Sequence, residues 1–196
     1  KTLIIGALGQ LGRALRADFP GADLVDLAAG EDVTQLDLTD PEALAAWPWQ
    51  EYGVVLNAAA YTAVDAAETS EGRRTAWAAN AGAPAALARL AAEYGFTLVH
   101  YSSEYVFDGT LPDHVEDEPL SPLGVYAQSK AAGDIAVALA PRHYVLRTSW
   151  VIGEGNKIQA RKVKPGARVE GLWLIEEGLK PGEKVAVEGL QRLRDG

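Results

Sequence analysis

The fold of this chain is decided by its first stretch, Thr2-Leu3-Ile4-Ile5-Gly6-Ala7-Leu8-Gly9-Gln10-Leu11-Gly12-Arg13-Ala14-Leu15-Arg16-Ala17. A short apolar run suited to a β-strand is followed by three glycines spaced G-x-x-G-x-x-G, and then by helix-forming residues. This order lets backbone amides and the positive end of a helix approach a pyrophosphate closely. A glycine turn that serves tight packing alone is the other interpretation of these residues.

Apolar runs and helical stretches alternate along the next part of the chain, which predicts a parallel α/β sheet. The predicted strands are Thr2–Gly6, Asp23–Leu27, Val33–Asp37, Gly53–Asn57, Phe96–Ser102 and His143–Thr148. The predicted helices are Gln10–Asp18, Pro41–Trp47, Glu71–Tyr94, with a break expected around Gly82 and Pro84, and Gly124–Ala140. The fold class is therefore α/β, a Rossmann-type doubly wound sheet whose ligands gather at the carboxyl ends of the strands.

A single lysine lies between Lys1 and residue 156, and it follows a tyrosine by four positions, in Tyr126-Ala127-Gln128-Ser129-Lys130. Residues four apart on a helix share one face, so the ammonium group of Lys130 is expected beside the Tyr126 phenol. A neighbouring cation lowers a tyrosine pKa and makes the hydroxyl a usable general acid. An exposed helix that carries an incidental Tyr and Lys remains the alternative for this pair by itself.

Composition limits the kinds of protein this can be. The chain has 196 residues, no Cys and a net charge of -9. Disulfides and cysteine-based metal sites are excluded, and the acidic balance argues against general nucleic-acid binding. No apolar run approaches the roughly 20 residues of a membrane span, and no signal peptide is visible, so we expect no membrane insertion and a cytoplasmic location. Self-association into a homo-oligomer is left open.

Charge is divided unevenly between two parts of the chain. Residues 1–155 carry a net charge of -12, whereas residues 156–196 carry +3 and five of the seven lysines. The second part also consists of short alternating runs separated by Pro-Gly and Gly, which indicates β structure. We predict a dinucleotide-binding Rossmann domain over 1–155 and a β-rich tail over 156–196, with strands near Lys157–Val163, Arg168–Ile175 and Lys184–Glu188.

Residues 1–155 resemble the dTDP-4-dehydrorhamnose reductases, which are extended short-chain dehydrogenase/reductases acting on a nucleotide sugar. The resemblance rests on the following runs, in the order and spacing of that family: GALGQLGRAL, DLTDPEAL, NAAAYTAVDAAE, NAGAPAALA, SSEYVFDG, PLGVYAQSKAAGD and RTSWVIG. It implies an oxidoreductase of dTDP-rhamnose synthesis that uses NADPH or NADH to reduce a dTDP-4-keto-6-deoxy sugar. The second predicted strand ends in Asp26-Leu27-Ala28, which shows neither a clear acid for the NADH ribose nor an arginine for the NADPH phosphate, so the sequence does not distinguish the two cofactors.

The resemblance also implies roles for individual residues. Tyr126 is expected to protonate the C4 carbonyl oxygen, Ser103 to donate a hydrogen bond to it, and Lys130 to tune Tyr126 and bind the nicotinamide ribose. Glu104 is expected to contact the substrate together with Ser103 and Tyr126. Asn80 is expected to pack behind the site. The cofactor-binding residues implied are Gly6, Gly9, Gln10, Leu11, Gly12, Asp37, Leu38, Ala58, Ala59, Ala60, Tyr61 and Lys130.

Three positions depart from the family pattern: Glu104 replaces the usual aspartate, Ala127 a common glycine and Asp134 the usual glutamate. A carboxylate one methylene longer moves a substrate contact by about 1 Å, which is enough to affect the rate. The acidic run Asp113–Glu118 indicates a solvated loop rather than a metal site, and no metal is expected.

Past Gly155 this resemblance is expected to stop. The run GLKPGEKVAVEGLQRLRDG resembles the C-terminal end of the periplasmic adaptor proteins of efflux pumps. Two interpretations of the tail stay open: a chimera joined around Val151–Lys157, or an unusual reductase with a shortened β tail. Two functions therefore compete with an impaired reductase: a non-catalytic dinucleotide-binding module, and an adaptor-like interaction segment carried on a Rossmann domain.

Overall fold

The computed structural model describes residues 1–111 and 113–149, together with the backbone of 164–169 and 172–177. The chain forms two compact units, Lys1–Val151 and Ile152–Gly196. The boundary predicted near Gly155 lies outside the described residues. Among the described helices, none combines the length and the apolar character needed to cross a membrane.

The first unit is built on a six-stranded parallel sheet with strand order β3-β2-β1-β4-β5-β6. Its strands are β1 (Thr2–Ile5), β2 (Asp23–Asp26), β3 (Thr34–Gln35), β4 (Val54–Asn57), β5 (Thr97–Ser103) and β6 (His143–Thr148). In the central register, Ile5 lies beside Val25 on one side and Asn57 on the other. This order is that of a doubly wound dinucleotide-binding sheet, so the predicted fold class is confirmed.

Helices connect these strands close to the predicted positions. They are α1 (Gln10–Asp18), α2 (Pro41–Ala46), α3 (Ser70–Trp77), α4 (Ala83–Tyr94) and α5 (Val125–Val137). Their ends follow ordinary capping chemistry: Asp40 accepts from the Glu42 amide before α2, and Gly95 takes the left-handed conformation after α4 (φ 76°). Short 3-10 turns cover Trp49–Glu51, Asp65–Glu68 and Glu104–Val106.

The break expected around Gly82 and Pro84 is a π-helical turn, Ala78–Gly82, inserted between α3 and α4. Pro84 lacks an N–H and cannot donate to the Asn80 carbonyl, which an α-helix would require. Gly133 of α5 packs on that carbonyl so closely that a Cβ would overlap Asn80 O and would lie 3.5 Å from Pro84 Cγ. Helix α5 and the π turn are therefore in intimate contact.

The core lies on both faces of the sheet. Alternate residues of β1 point to opposite faces: Leu3 and Ile5 belong to a cluster with Leu87 and Val137, whereas Ile4 packs with Leu15 of α1. Because all six strands are parallel, their carboxyl ends and the loops that follow them meet at one edge. This edge holds the candidate site.

In the second unit, β7 (Lys164–Val169) and β8 (Leu172–Glu177) form an antiparallel pair. A single strand over Arg168–Ile175 is therefore wrong, since the chain reverses direction between Val169 and Leu172. The other two tail strands, predicted near Lys157–Val163 and Lys184–Glu188, lie outside the described residues.

Candidate active site

The glycine turn after β1 is packed so tightly that two of its glycines have no room for a side chain. Gly6 has φ 80°, and a Cβ there would lie 2.6 Å from the Ala59 nitrogen. A Cβ on Gly12 would overlap the Gly6 carbonyl oxygen and would lie 2.7 Å from Ala7 Cα. Both glycines are therefore required by close packing against the protein's own backbone, which agrees with the alternative interpretation of the spacing, and approach of a pyrophosphate to the turn stays a prediction.

Helix α1 begins at this turn. Gly9 is its N-cap residue and has no side chain with which to cap the first turn. The positive end of the helix thus faces the carboxyl edge of the sheet, which suits an anion such as a pyrophosphate. Gln10, Leu11 and Gly12 supply backbone amides there.

Asp26, at the end of β2, is a supporting residue that sequence reasoning missed. Its Oδ2 accepts from the Leu8 amide at 2.9 Å and its Oδ1 from the Leu27 amide at 2.7 Å. The carboxylate therefore ties the glycine turn to the neighbouring strand. Its position at a strand end was visible in the sequence, but its bond to a residue 18 positions earlier was not.

The remaining predicted cofactor residues follow β3 and β4 at the same edge. Asp37 and Leu38 are half-buried, and Asp37 Oδ1 accepts from the amide of Thr39 at 2.8 Å and from its hydroxyl at 2.7 Å. The segment 58–61 begins where the Ala58 amide donates to Ile5 O at 2.9 Å. All of these residues therefore lie along one edge, beside the glycine turn.

Asn80 of the π turn holds the segment 58–61 in place. Its Oδ1 accepts from the Tyr61 amide at 2.8 Å, and its Nδ2 donates to the Tyr61 carbonyl at 3.0 Å. Nδ2 also donates to Ser129 Oγ at 3.1 Å, and that hydroxyl donates to Tyr126 O at 2.7 Å. Asn80 is 1% exposed. It therefore joins the cofactor-side loop to the helix that carries Tyr126.

The start of α5 is positioned by Glu68, a second residue that sequence reasoning missed. Glu68 Oε1 accepts from the Val125 amide at 2.8 Å, next to Tyr126. A carboxylate at this end of a helix is stabilised by the helix dipole. No local pattern links residues 57 positions apart, so the sequence offered no signal for this contact.

Ser103, Glu104 and Tyr126 meet where β5 ends. Burial raises the pKa of Tyr126, a hydrogen bond with the Ser103 side chain lowers it, and the Glu104 charge raises it again. Ser103 Oγ donates to Glu104 Oε2 at 3.4 Å and accepts from the Tyr105 amide at 3.2 Å. The structure thus brings together the three residues expected to face the substrate.

Lys130 lies one helical turn after Tyr126, but its ammonium group is directed to the sheet. Nζ donates to the Tyr101 carbonyl at 2.7 Å, and the side chain is 2% exposed. Burial lowers the pKa of Lys130 to about 8, while Asp134 raises it. The predicted lowering of the Tyr126 pKa is wrong for this arrangement, since burial dominates the phenol and Lys130 is held by the sheet.

This arrangement can do acid–base chemistry on an oxygen atom. A tyrosine and a serine hydroxyl converge, and a buried lysine follows on the same helix, opposite a glycine turn suited to phosphates. The acidic run 113–118 is a largely exposed loop, in which Glu118 is bound to His114 Nδ1 at 2.9 Å. Among the residues with described side chains, no group of three or more His, Asp or Glu is placed to hold a metal ion.

Comparison with known families decides the relationship of the chain. The sequence profile of the RmlD substrate binding domain matches residues 1–167. The chain belongs to this family. The match extends twelve residues beyond Gly155, where the resemblance was expected to stop.

Members of the RmlD family are similar to this chain in sequence and in structure. A dTDP-4-dehydrorhamnose reductase of Mycobacterium tuberculosis is 43% identical over 80% of the chain. The chain spans about half the length of the curated relatives it matches, 52% in that case.

Two solved structures have the same architecture. A dTDP-4-dehydrorhamnose reductase from Clostridium acetobutylicum has a TM-score of 0.69 and 36% identity, over 79% of this chain and 55% of that one. A second, from Bacillus anthracis in complex with NADP, has a TM-score of 0.63 and 29% identity, over 78% of this chain and 54% of that one.

Proposed function

We propose that the chain is an NAD(P)H-dependent oxidoreductase that reduces the 4-keto group of a dTDP-4-keto-6-deoxy sugar, as in dTDP-rhamnose synthesis. The observation that carries this proposal is the convergence of Ser103 and Tyr126 at the strand edge that also bears the glycine turn. Membership of the RmlD family supports it, because relatives are named dTDP-4-dehydrorhamnose reductase and one structure contains NADP.

The residues at the carboxyl edge suit a dinucleotide. The start of α1, directly after the glycine turn, would offer the positive end of a helix to phosphate oxygens. Residues Asp37, Leu38 and 58–61 would hold the rest of the cofactor along the edge. When bound, a reduced nicotinamide supplies the hydride that the reaction needs.

The remaining chemistry belongs to the side chains. Tyr126 donates its phenolic proton to the carbonyl oxygen as negative charge develops there, and Ser103 donates a hydrogen bond to the same oxygen. Lys130 would donate to ribose hydroxyls of the cofactor. Glu104 lies beside Ser103 and would contact the sugar.

A second candidate is a non-catalytic dinucleotide-binding module. The observation that favours it is the glycine turn at the start of α1, because this turn would hold a dinucleotide without help from Ser103 or Tyr126. In this case the cofactor would bind without turnover of a sugar. A cytoplasmic location, expected from the composition, stays a prediction, and self-association into a homo-oligomer stays open.

For the tail we infer a separate β-rich unit, residues 156–196, joined to the reductase as a chimera and derived from an adaptor-like protein. The antiparallel pair β7 and β8 and the compactness of the second unit support a β-rich tail. The family match through residue 167 argues for a junction later than Val151–Lys157. An adaptor-like interaction role for the tail rests on its sequence alone.

The test of the proposed function is Tyr126→Phe. NADPH or NADH oxidation with a dTDP-4-keto-6-deoxy sugar would be followed under single-turnover conditions at high substrate. We expect Tyr126→Phe to lower the rate at least about 100-fold, which is the usual contribution of a positioned acid, while cofactor binding stays intact. Tyr144→Phe, on β6 and 62% exposed, is the matched control. If Tyr126→Phe turns over as fast as the parent, the mechanism is refuted. If the parent binds the cofactor but does not reduce the sugar, the non-catalytic dinucleotide-binding module is supported.

A further inference from the structure

Between β5 and α5, three buried polar atoms have no hydrogen-bond partner among the described residues. They are His100 Nε2, Ser102 Oγ and Asp134 Oδ1. The exposed fractions of these residues are 0%, 5% and 2%, so the three atoms are shielded from bulk solvent. An unpaired buried polar group is costly, and in folded proteins such groups are nearly always paired with protein or with ordered water.

The three atoms belong to one layer between the strand and the helix. His100 and Ser102 are two residues apart on β5, so their side chains point to the same face of the sheet. In the strand register Ser102 lies opposite Arg147 of β6, whose Nε donates to Asp134 Oδ2 at 3.0 Å. The other oxygen of that carboxylate, Oδ1, lies 4.0 Å from His100 Nε2. The carboxylate of Asp134 therefore faces both residues of β5.

The gap between His100 and Asp134 is held open from both sides. Its 4.0 Å exceeds the roughly 2.7–3.2 Å of an N–H···O hydrogen bond, so the two groups do not bond directly. The His100 ring is held at Nδ1 by Asn57 Nδ2 at 3.0 Å. The Asp134 carboxylate is held by Arg147, whose guanidinium carbon lies 5.2 Å from the centre of the Phe107 ring. Neither group can turn into the gap without giving up the contact that it already makes.

The chemistry of the gap selects the kind of ligand that fits it. His100 Nδ1 faces an amide nitrogen, which can only donate, so the ring proton is on Nε2. The gap thus has an N–H donor on one side, a carboxylate acceptor on the other, and the Ser102 hydroxyl, which can do either. A metal cation needs acceptors alone and an anion needs donors alone, whereas a water molecule accepts from His100 and donates to Asp134.

We propose that one ordered water molecule is bound between β5 and α5, where it accepts from His100 Nε2, donates to Asp134 Oδ1 and has Ser102 Oγ as its third partner. A water about 2.8 Å from each of the first two atoms lies about 2 Å to the side of the line that joins them. Three partners are the usual number for a buried water. The bridge fastens the strand to the helix that carries Tyr126 and Lys130. It belongs to the folded chain without any ligand and does not depend on the proposed function.

The first experiment looks for this water in the full chain in solution. Histidine is labelled with ¹⁵N, and the His100 signals are assigned at pH 7.5 by their loss in His100→Gln. We expect the ring proton on Nε2, with a rotating-frame Overhauser cross-peak to water whose sign distinguishes it from chemical exchange. A proton on Nδ1, or an observed Nε2 proton without this cross-peak, overturns the proposal.

A crystal structure of the same chain tests the site independently of proton exchange. We expect a water peak within about 3.2 Å of His100 Nε2, Asp134 Oδ1 and Ser102 Oγ. A direct contact between His100 and Asp134, or a gap without a peak, overturns the proposal even where the Nε2 proton exchanges too fast to be seen by NMR.

A longer acid at the same position should displace the water. Asp134→Glu extends the side chain by about 1.5 Å, which brings a carboxylate oxygen into contact with His100 Nε2. The cross-peak to water should then be lost while the proton stays on Nε2. Asp113→Glu makes the same change on the exposed loop and should keep the cross-peak. A parental cross-peak in Asp134→Glu overturns the proposal. If this variant fails to fold by circular dichroism, the two parental measurements decide.

Discussion

Acid should destabilise this protein through one buried side chain, His100. The ring is fully buried on β5 and its pKa falls to about 3 because burial penalises the imidazolium and Lys130 repels it. In the unfolded chain the pKa returns to its ordinary value of 6.5. Between pH 6.5 and 3 the unfolded state therefore binds a proton that the folded state does not bind. The stability contributed by neutral His100 is fully present above pH 6.5 and falls as the pH drops.

The size of the effect follows from these two pKa values. At pH 5 the difference in proton binding costs about 2 kcal/mol of unfolding free energy, whereas at pH 7.5 the cost is close to zero. With a urea m value of about 2 kcal/mol/M, the unfolding midpoint should fall by about 1 M from this residue alone. Carboxylates also titrate in this range, so the comparison must be made against a variant.

Urea unfolding at pH 7.5 and pH 5 would be followed by tryptophan fluorescence in the parent and in His100→Gln, which cannot titrate. Between pH 7.5 and pH 5 the urea midpoint of the parent should fall by about 1 M more than the midpoint of His100→Gln. His143→Gln, at a half-buried histidine of β6, is the matched control substitution. Equal pH sensitivity in the parent and His100→Gln would show that burial does not hold His100 neutral.

Four further outcomes test the glycine turn, the π turn and the tail. Gly12→Ala should lower the free energy of unfolding in urea by about 2 kcal/mol, because the added Cβ meets backbone atoms and this outweighs a gain of about 1 kcal/mol in helix propensity. The control Gly21→Ala should be close to neutral, because a Cβ there meets no atom within 4 Å. Gly9→Val should keep the helical circular dichroism but abolish NADPH and NADH binding, measured by nicotinamide fluorescence; parental affinity contradicts the cofactor assignment. Asn80→Ala leaves both backbone groups of Tyr61 unpaired and should cost about 2 kcal/mol or more, compared with the exposed amide control Gln128→Ala. A chain ending at Gly155 should bind cofactor as tightly as the full chain, and lost affinity would mean that the tail completes the fold.

The sequence by itself determined the elements and their order. Helix α1 and strand β6 coincide with their predicted bounds, and the other strands of the first unit differ by a residue or two at their ends. Period-2 and period-3.6 patterns and the glycine spacing are local properties, so they can be recognised without tertiary contacts. Ser103 directly follows a predicted strand, and the carboxyl ends of parallel strands meet at one edge of the sheet, so the edge location of Ser103 could also be predicted.

Local patterns failed where the conformation depended on a partner element. The π turn was expected only as a break, because the Asn80 carbonyl is accommodated by Gly133, 53 positions later. The contacts of Asp26 with Leu8 and of Glu68 with Val125 are likewise non-local. Such contacts exist only once the strands are stacked side by side.

Charge states were decided by the tertiary structure alone. Spacing placed Lys130 and Tyr126 on one helix, yet folding directs the ammonium group to Tyr101 O, buries Lys130 and half-buries Tyr126. Burial then raises the pKa of Tyr126 and lowers that of Lys130, since removal from water disfavours the charged form of each. A pKa reports the solvent and charges around a group in three dimensions, which no spacing along the chain specifies.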